Sequence, residues 1–374
     1  MVRNKIFIDC KYYKGYKPCD FHKDDKRKCK DCAEYLPIKS RILIIKLDAL
    51  GDVLRTTAIL QSLIKKYDNP HITWITRENA HQLLKNNPLV NRILFIEKNY
   101  LQFILNEQFD VGICLDADPD SATILSLADC SDKFGFIANK HGQVIPVNNK
   151  AEEWYLMGVD DELKRKNRKT YQEHICKICD IDYDNSKPQL ILDEGSKTFS
   201  TSFAKKNNLD KYQKIIGINT GASKRWPMKR WILDYFIDLI NLLKDKYPEI
   251  GIILFGGPDE VEFNKKIIES VNNKVINAGC NNSIGQFSAL VNLVSIFLTS
   301  DSLGMHISTA LSKTTITIVG PTSPWELQAY NNGEIIYNKN LDCISCYLSK
   351  CDLEVNCMNS ITVKNVFGKI RDYL

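Results

Sequence analysis

Short, wholly apolar runs alternate with amphipathic stretches along most of the chain. The run at residues 42–45 (ILII) is the first, and from Val53 to residue 66 the apolar positions recur at helical spacing. Apolar runs of four or five residues bounded by polar turns predict strands buried on both faces, as in a parallel sheet. Further runs stand at 72–76, 92–96, 111–115 and 133–137, and again at 189–192, 215–219, 252–255, 295–298 and 315–319. Strands separated in this way by helical segments predict an α/β class with mostly parallel sheets and helices on both faces. At 374 residues the chain exceeds one ordinary core, and two doubly wound domains are the natural division. The pattern places them at 40–187 and 188–340, joined near Pro188, with cysteine-rich segments at 1–39 and 341–374.

In such folds ligands bind at the carboxyl ends of the strands, so the turns there are where chemistry is expected. The first turn is LDALGD, residues 47–52. Gly51 is expected to supply backbone freedom where strand reverses into helix, and Asp52 to cap the helix; from spacing alone the cap outweighs catalysis. The acids Asp116, Asp118 and Asp120 end the next central run and read as turn formers and caps before a cation or sugar site. In the second half, consecutive strands end in Asn219-Thr220-Gly221-Ala222-Ser223-Lys224, Gly256-Gly257-Pro258-Asp259, Ser300-Asp301-Ser302 and Gly320-Pro321-Thr322. Small residues there let backbone amides approach phosphate oxygens, and helices starting just after add a favourable dipole. Four such loops at one sheet edge point to a phosphorylated ligand.

Charge and cysteine content change the picture at the ends. Residues 1–39 carry eleven Lys and Arg against six Asp and Glu, a balance of +5 that equals the net charge of the whole chain. This segment is too poor in aliphatic residues to build a core and needs a staple. A second basic block, Lys164, Arg165, Lys166, Arg168 and Lys169, reads equally as a solvated helix face and as a platform for an acidic acceptor or membrane face. No apolar run is long enough to span a bilayer and the start lacks an apolar signal core, so a cytoplasmic location is expected. Disulfides are not expected to persist there. Yet eight of thirteen cysteines cluster at the termini: Cys10, Cys19, Cys29 and Cys32, then Cys343, Cys346, Cys351 and Cys357. The second set has the spacing C-x2-C-x4-C-x5-C, dense enough for a structural zinc, iron or iron–sulfur site. The first set could form another such site, or the two sets could share ligands. Cys176 and Cys179 read as a helix face.

Six segments in order, ILIIKLDALGDVLRTTAIL, NTGASKRWPMKRW, FGGPDE, TSDSLGMHISTAL, GPTSPWE and CISCYLSKCDLEVNCMNSITV, resemble glycosyltransferase family 9. These are the ADP-heptose heptosyltransferases of the lipopolysaccharide inner core, and the resemblance spans roughly residues 41–370. It implies the GT-B architecture, two Rossmann-like domains facing a cleft. It implies an inverting transfer of a heptose-type sugar from a nucleotide diphosphate donor to a glycan or glycolipid hydroxyl, without a divalent cation for the chemistry. Asp52 then takes the place of the catalytic base, while Lys164, Arg165, Lys166 and Arg168, from the charge pattern and not from the resemblance, are the candidate acceptor contacts. Lys224 takes the place of the lysine on donor phosphate, with Arg225 beside it. Thr220, Gly221, Gly256, Gly257, Asp301, Ser302, Gly304, His306 and Thr322 complete the donor site. Leu303 stands where the family pattern differs, and His306 reads equally as a packed residue. The cysteine run corresponds to a finger that binds iron in some protein-heptosylating relatives. Peripheral contact with the inner membrane is a further expectation.

Two rival functions remain open at this level. One is transfer to a protein, as by autotransporter heptosyltransferases. The other is a metal-binding redox or nucleic-acid-binding protein with a degenerate transferase body; against nucleic acid, the basic segment has no finger spacing and most of the chain is left unexplained.

Overall fold

The computed structural model describes residues 5–98, 100–222, 226–330 and 332–374. Its first sheet contains β1 (Ser40–Ile45), β2 (Pro70–Thr76), β3 (Arg92–Phe95), β4 (Gln108–Cys114), β5 (Asp129–Ala138) and β6 (Val144–Pro146), in the order β3-β2-β1-β4-β5-β6. The second contains β7 (Ile215–Asn219), β8 (Gly251–Phe255), β9 (Ile276–Asn277), β10 (Ile296–Ser300), β11 (Thr314–Ile318) and β12 (Gly333–Ile336), in the order β9-β8-β7-β10-β11-β12. Both follow the doubly wound order in which the winding reverses beside the first strand, and that reversal is where such sheets bind ligands. The central strands are shielded on both faces, so ILII of β1 is fully buried, as are Ile216 and Ile218 of β7 and Phe297 and Leu298 of β10. That is why the runs carry no polar alternation.

Four elements depart from the sequence pattern. Residues 189–192 are not a strand: they run as extended chain across the first domain, where Thr57 Oγ1 receives the Gln189 N–H at 2.7 Å and Asn86 donates to the Ile191 carbonyl at 3.1 Å. Their backbone groups are satisfied by side chains rather than by a ladder. The short edge strands β6, β9 and β12 are invisible in the pattern because only one or two of their residues face a core; β6 alone pairs antiparallel. The terminal helix Val363–Arg371 buries Val366 and Ile370 against the second domain. Among the described residues no helix is long and apolar enough to cross a membrane.

Residues 5–39 form a small module on aromatic pairs. Phe7 meets Tyr35 at 4.5 Å between ring centres and Tyr12 meets Phe21 edge-on at 4.9 Å, around the short helix Asp20–Asp25. Cys10, Cys19, Cys29 and Cys32 are free thiols around one open recess of about 760 Å³.

The two domains meet through helices that follow their central strands, Leu50–Thr56 after β1 and Leu303–Ala310 after β10. Gly51 lies inside the first helix with ordinary helical geometry, so backbone freedom is not its purpose. A Cβ there would stand 2.7 Å from Cδ2 of the His306 ring. The glycine is required by the close approach of the second domain. Gly51→Ala should therefore destabilise the protein by about 1–3 kcal/mol through overpacking, read by urea unfolding. Removing the ring as well, in Gly51→Ala with His306→Ala, should make the two effects non-additive.

Candidate active site

The carboxyl ends of both sheets open on one interdomain cavity of about 810 Å³. Asp48 to Asp52, Arg55 and Lys164 line it from the first domain. Loops after β7, β8, β10 and β11 line it from the second. A larger recess, about 1700 Å³, lies at the opposite, amino-terminal edge of the first sheet beneath the N-terminal module, near Lys11, Arg41 and Arg92. It lies away from the carboxyl edge, where doubly wound sheets bind their ligands.

Below the first turn, Lys46 and Asp116 form a buried ion pair, and Asp116 also accepts the Leu47 N–H at 2.7 Å and the Ser121 hydroxyl at 3.3 Å. Burial opposes charge on Lys46, but pairing with Asp116 outweighs it and holds the ammonium above its usual pKa. Asp118 caps the helix Pro119–Leu127 through the Asp120 and Ser121 amides. These acids thus pin the sheet end. Asp52, in the first helical turn, accepts the Ala49 N–H at 3.3 Å and pairs with Arg55 at 2.7 Å, its side chain 32% exposed toward the cavity. The Arg55 guanidinium lies 3.7 Å from the centre of the Tyr171 ring, whose hydroxyl shares a hydrogen bond with Thr56 at 2.7 Å. Burial pushes the Asp52 carboxyl up, but Arg55, Lys46 and His306 together outweigh it, so the carboxyl titrates below its ordinary value. Asp52 is an anion at neutral pH.

Across the cavity, Asp301 is paired with Lys229 at 2.6 Å and accepts the Thr322 hydroxyl at 2.8 Å. Burial raises its pKa, but Lys229 leads the opposing charges and brings it to about 2. Burial, reinforced by Arg55, drops the His306 imidazole to about 4, so the ring is neutral at pH 7. His306 both packs on Gly51 and lines the cavity. Ser302 starts the Leu303–Ala310 helix, and Gly304 is needed because a Cβ would come within 2.8 Å of Asn219 Nδ2. Leu303 opens the helix and lies on the cavity wall. Gly221, Gly256 and Gly257 also line the cavity, and the Gly257 N–H donates to Glu260 at 3.0 Å. Glu260 in turn pairs with Arg230.

Some expected residues are placed elsewhere. Thr220 is buried and donates to Asn264 at 2.6 Å, joining β7 to its neighbours instead of facing the cavity. Lys224 and Arg225 lie outside the described residues. Of the basic block, only Lys164 reaches the cavity. Arg168 stacks on Trp325 at 3.7 Å and donates to the Arg165 and Asn167 carbonyls, while Lys166 pairs with Glu162 on an exposed surface. Cys176 and Cys179 are buried against the first core. Cys343, Cys346, Cys351 and Cys357 converge on one pocket of about 20 Å³ behind Gly320 and Met228. Burial, reinforced by its three neighbours, raises the Cys357 thiol to about 11. Among the described residues no group of three or more His, Cys, Asp or Glu is arranged to hold a metal ion.

Among the cavity residues that the sequence did not single out are Arg55, Lys229, Glu326 and Tyr347. Arg55 was signalled by its position one turn after Asp52. The others sit inside quoted motifs, masked by a neighbouring lysine, a proline turn and the cysteines.

A family model described as glycosyltransferase family 9 (heptosyltransferase) matches residues 99–356. The chain belongs to this family. It is a glycosyltransferase, and its two facing Rossmann-like domains are the GT-B fold. It is 24% identical to the lipopolysaccharide core heptosyltransferase OpsX of Haemophilus influenzae over 303 residues, 78% of this chain and 82% of the relative. Among solved structures it is similar to ADP-heptose LPS heptosyltransferase II of E. coli, with a TM-score of 0.65 at 19% identity, covering 89% of this chain and 98% of the other. It is also similar in fold to the iron-containing dodecameric glycosyltransferase TibC of enterotoxigenic E. coli, with a TM-score of 0.52 at 14% identity over 91% and 80% of the two chains.

The Asp301 carboxylate has a pH signature. Its folded pKa is depressed, so its stabilisation is present above the ordinary carboxylate pKa and is lost as pH falls toward about 2. The full contribution is about 2 kcal/mol, of which about 1 kcal/mol is gone by pH 3. Urea unfolding between pH 5 and pH 3 should find that loss reduced in Asp301→Asn.

Proposed function

We propose that the cleft transfers a heptose-type sugar, with inversion, from an ADP-activated donor to a hydroxyl of a lipopolysaccharide core or related surface glycan. The observation that carries this is the meeting in one cavity of an anionic carboxylate from the first domain and phosphate-type loops from the second. The acceptor hydroxyl attacks the anomeric carbon as the bond to the diphosphate breaks, and its proton passes to Asp52. A carboxylate held low by Arg55 is a weak base. It takes the proton late, when positive charge on the sugar has already acidified the attacking hydroxyl. The charge growing on the diphosphate is met by the N-terminus of the Leu303–Ala310 helix and by Ser302. We assign Lys224, with Arg225, to the same phosphates. Asp301 positions Lys229 and Thr322 at the edge of that site. Lys164 is the basic contact for the acceptor. A glycolipid acceptor fits a cytoplasmic enzyme in peripheral contact with the inner membrane.

The four C-terminal thiols fit a structural zinc or iron site in their donor chemistry, since convergent soft thiolates need a cation to ionise together. The iron content of a protein of similar fold supports the same reading. In this role the metal fixes the loop at 343–357 behind Gly320. The N-terminal thiols are a second candidate set, in a more open recess.

Two measurements bear on these assignments. Asp52→Asn should lower kcat by about 10²–10⁴-fold while the dissociation constant for ADP stays nearly unchanged; near-normal turnover would leave Asp52 a helix cap. Element analysis of protein purified without oxygen should find zinc or iron, lost from a Cys343→Ser, Cys346→Ser variant. The absence of both metals would remove the metal assignment.

A further inference from the structure

The C-terminal cysteine loop does more than close the chain, because it carries a side chain into the cleft. Tyr347, directly after Cys346, reaches the cavity wall. Its N–H donates to the Pro321 carbonyl at 2.8 Å, which ties it to the loop after β11. Ser345 and Tyr347 both adopt left-handed backbone, φ +63° and +54°. Such conformations in non-glycine residues persist where the surroundings impose them, and they concentrate at functional positions. The Tyr347 hydroxyl donates to Glu326 Oε1 at 3.0 Å, and the Lys164 ammonium, from the other domain, lies 3.7 Å from the centre of its ring. Glu326 Oε2 takes no hydrogen bond among the described residues. Burial raises the pKa of this carboxyl against the pull of Arg55. A carboxyl oxygen open to the cavity can accept hydrogen bonds from a bound ligand.

The strand order locates this group within the cleft. Glu326 follows β11, next to β10 and the Asp301 loop, whereas the Gly256-Gly257 loop follows β8 and Cys280 follows β9. With strands about 4.8 Å apart, the loops after β8 and β9 lie roughly 14–19 Å along the sheet edge from the Glu326 loop. Glu326 and Tyr347 therefore share the Asp52 end of the cavity, where the sugar and not the nucleoside is expected.

The geometry points to Glu326 and Tyr347 as a specificity-determining pair for the transferred sugar: the carboxylate and phenol take two neighbouring ring hydroxyls, while Lys164, the basic contact for the acceptor, rests on the phenol ring from the first domain. This rests on the transferase reading above and extends it. Under it, the cysteine loop is an arm that delivers a substrate contact, and the Lys164–Tyr347 contact links that arm to the first domain.

Calorimetric titration of the full chain with ADP and with ADP-heptose tests it, using Glu326→Gln and the more conservative Tyr347→Phe, which keeps the ring beneath Lys164. Each variant should bind ADP within about twofold of the wild type yet lose about 10–100-fold toward ADP-heptose, the range for a hydrogen bond to a charged group. KM for the sugar donor should rise accordingly. Equal losses for both ligands would mark a purely structural role, and unchanged affinities for both would remove the residues from the site; either overturns the proposal while the transferase reading stands. A wild-type protein that binds neither ligand would overturn the transferase reading and this proposal with it.

Discussion

The cleft depends on the packing of the His306 ring against a helix that has no side chain at Gly51. Through this contact the helices after the two central strands meet at their first turns, so the N-terminal helix ends of both domains address one volume. Either sheet alone could present a carboxylate or a set of phosphate-type loops. Only their apposition places Asp52 opposite Ser302 and the Asp301 loop. A methyl group at position 51 would drive the domains apart at the point where the chemistry is set.

That apposition also governs the electrostatics. Arg55, Lys46 and Lys229 lie close to Asp52, Asp116 and Asp301, and each acid is held by a cation from a nearby turn or a neighbouring loop. The dense positive field keeps Asp52 ionised, and burial, reinforced by Arg55, keeps His306 neutral, so at physiological pH both groups stand in their unprotonated forms. In the proposed transfer the same field weakens Asp52 as a base, which ties proton removal to a late stage of bond cleavage at the sugar. Glu326 differs from Asp52 and Asp301: burial holds it toward the neutral form, as it does Asp116, and its partner, Tyr347, is a neutral donor.

Much of this was legible in the chain. Fully apolar runs such as ILII, and the small-residue loops ending successive strands, gave two doubly wound sheets and the edge at which a phosphorylated ligand sits. Burial on both faces leaves a strong local signal. The edge strands β6, β9 and β12 leave little, and residues 189–192 mimic a strand because an extended crossing buried on one side has the same composition. Gly51 was visible as a special position, but its reason is a ring contributed from 255 residues later, which no local pattern carries. Thr220 sits in a phosphate-type loop yet turns into the core, and the basic block divides, with Lys164 in the cleft and Arg168 on Trp325. Tyr347 was hidden among cysteines whose own spacing drew attention to metal.

The stereochemistry of transfer tests the central claim most directly, because Asp52 and Glu326 are cleft carboxyl groups with different environments. Direct displacement assisted by Asp52 predicts a product whose anomeric configuration, read by NMR from its coupling constants, is inverted relative to the nucleotide-sugar donor. Retention would require a second displacement through an enzyme nucleophile, with Glu326 the first candidate, and would contradict the assignment of Asp52 as the base of a single-step transfer.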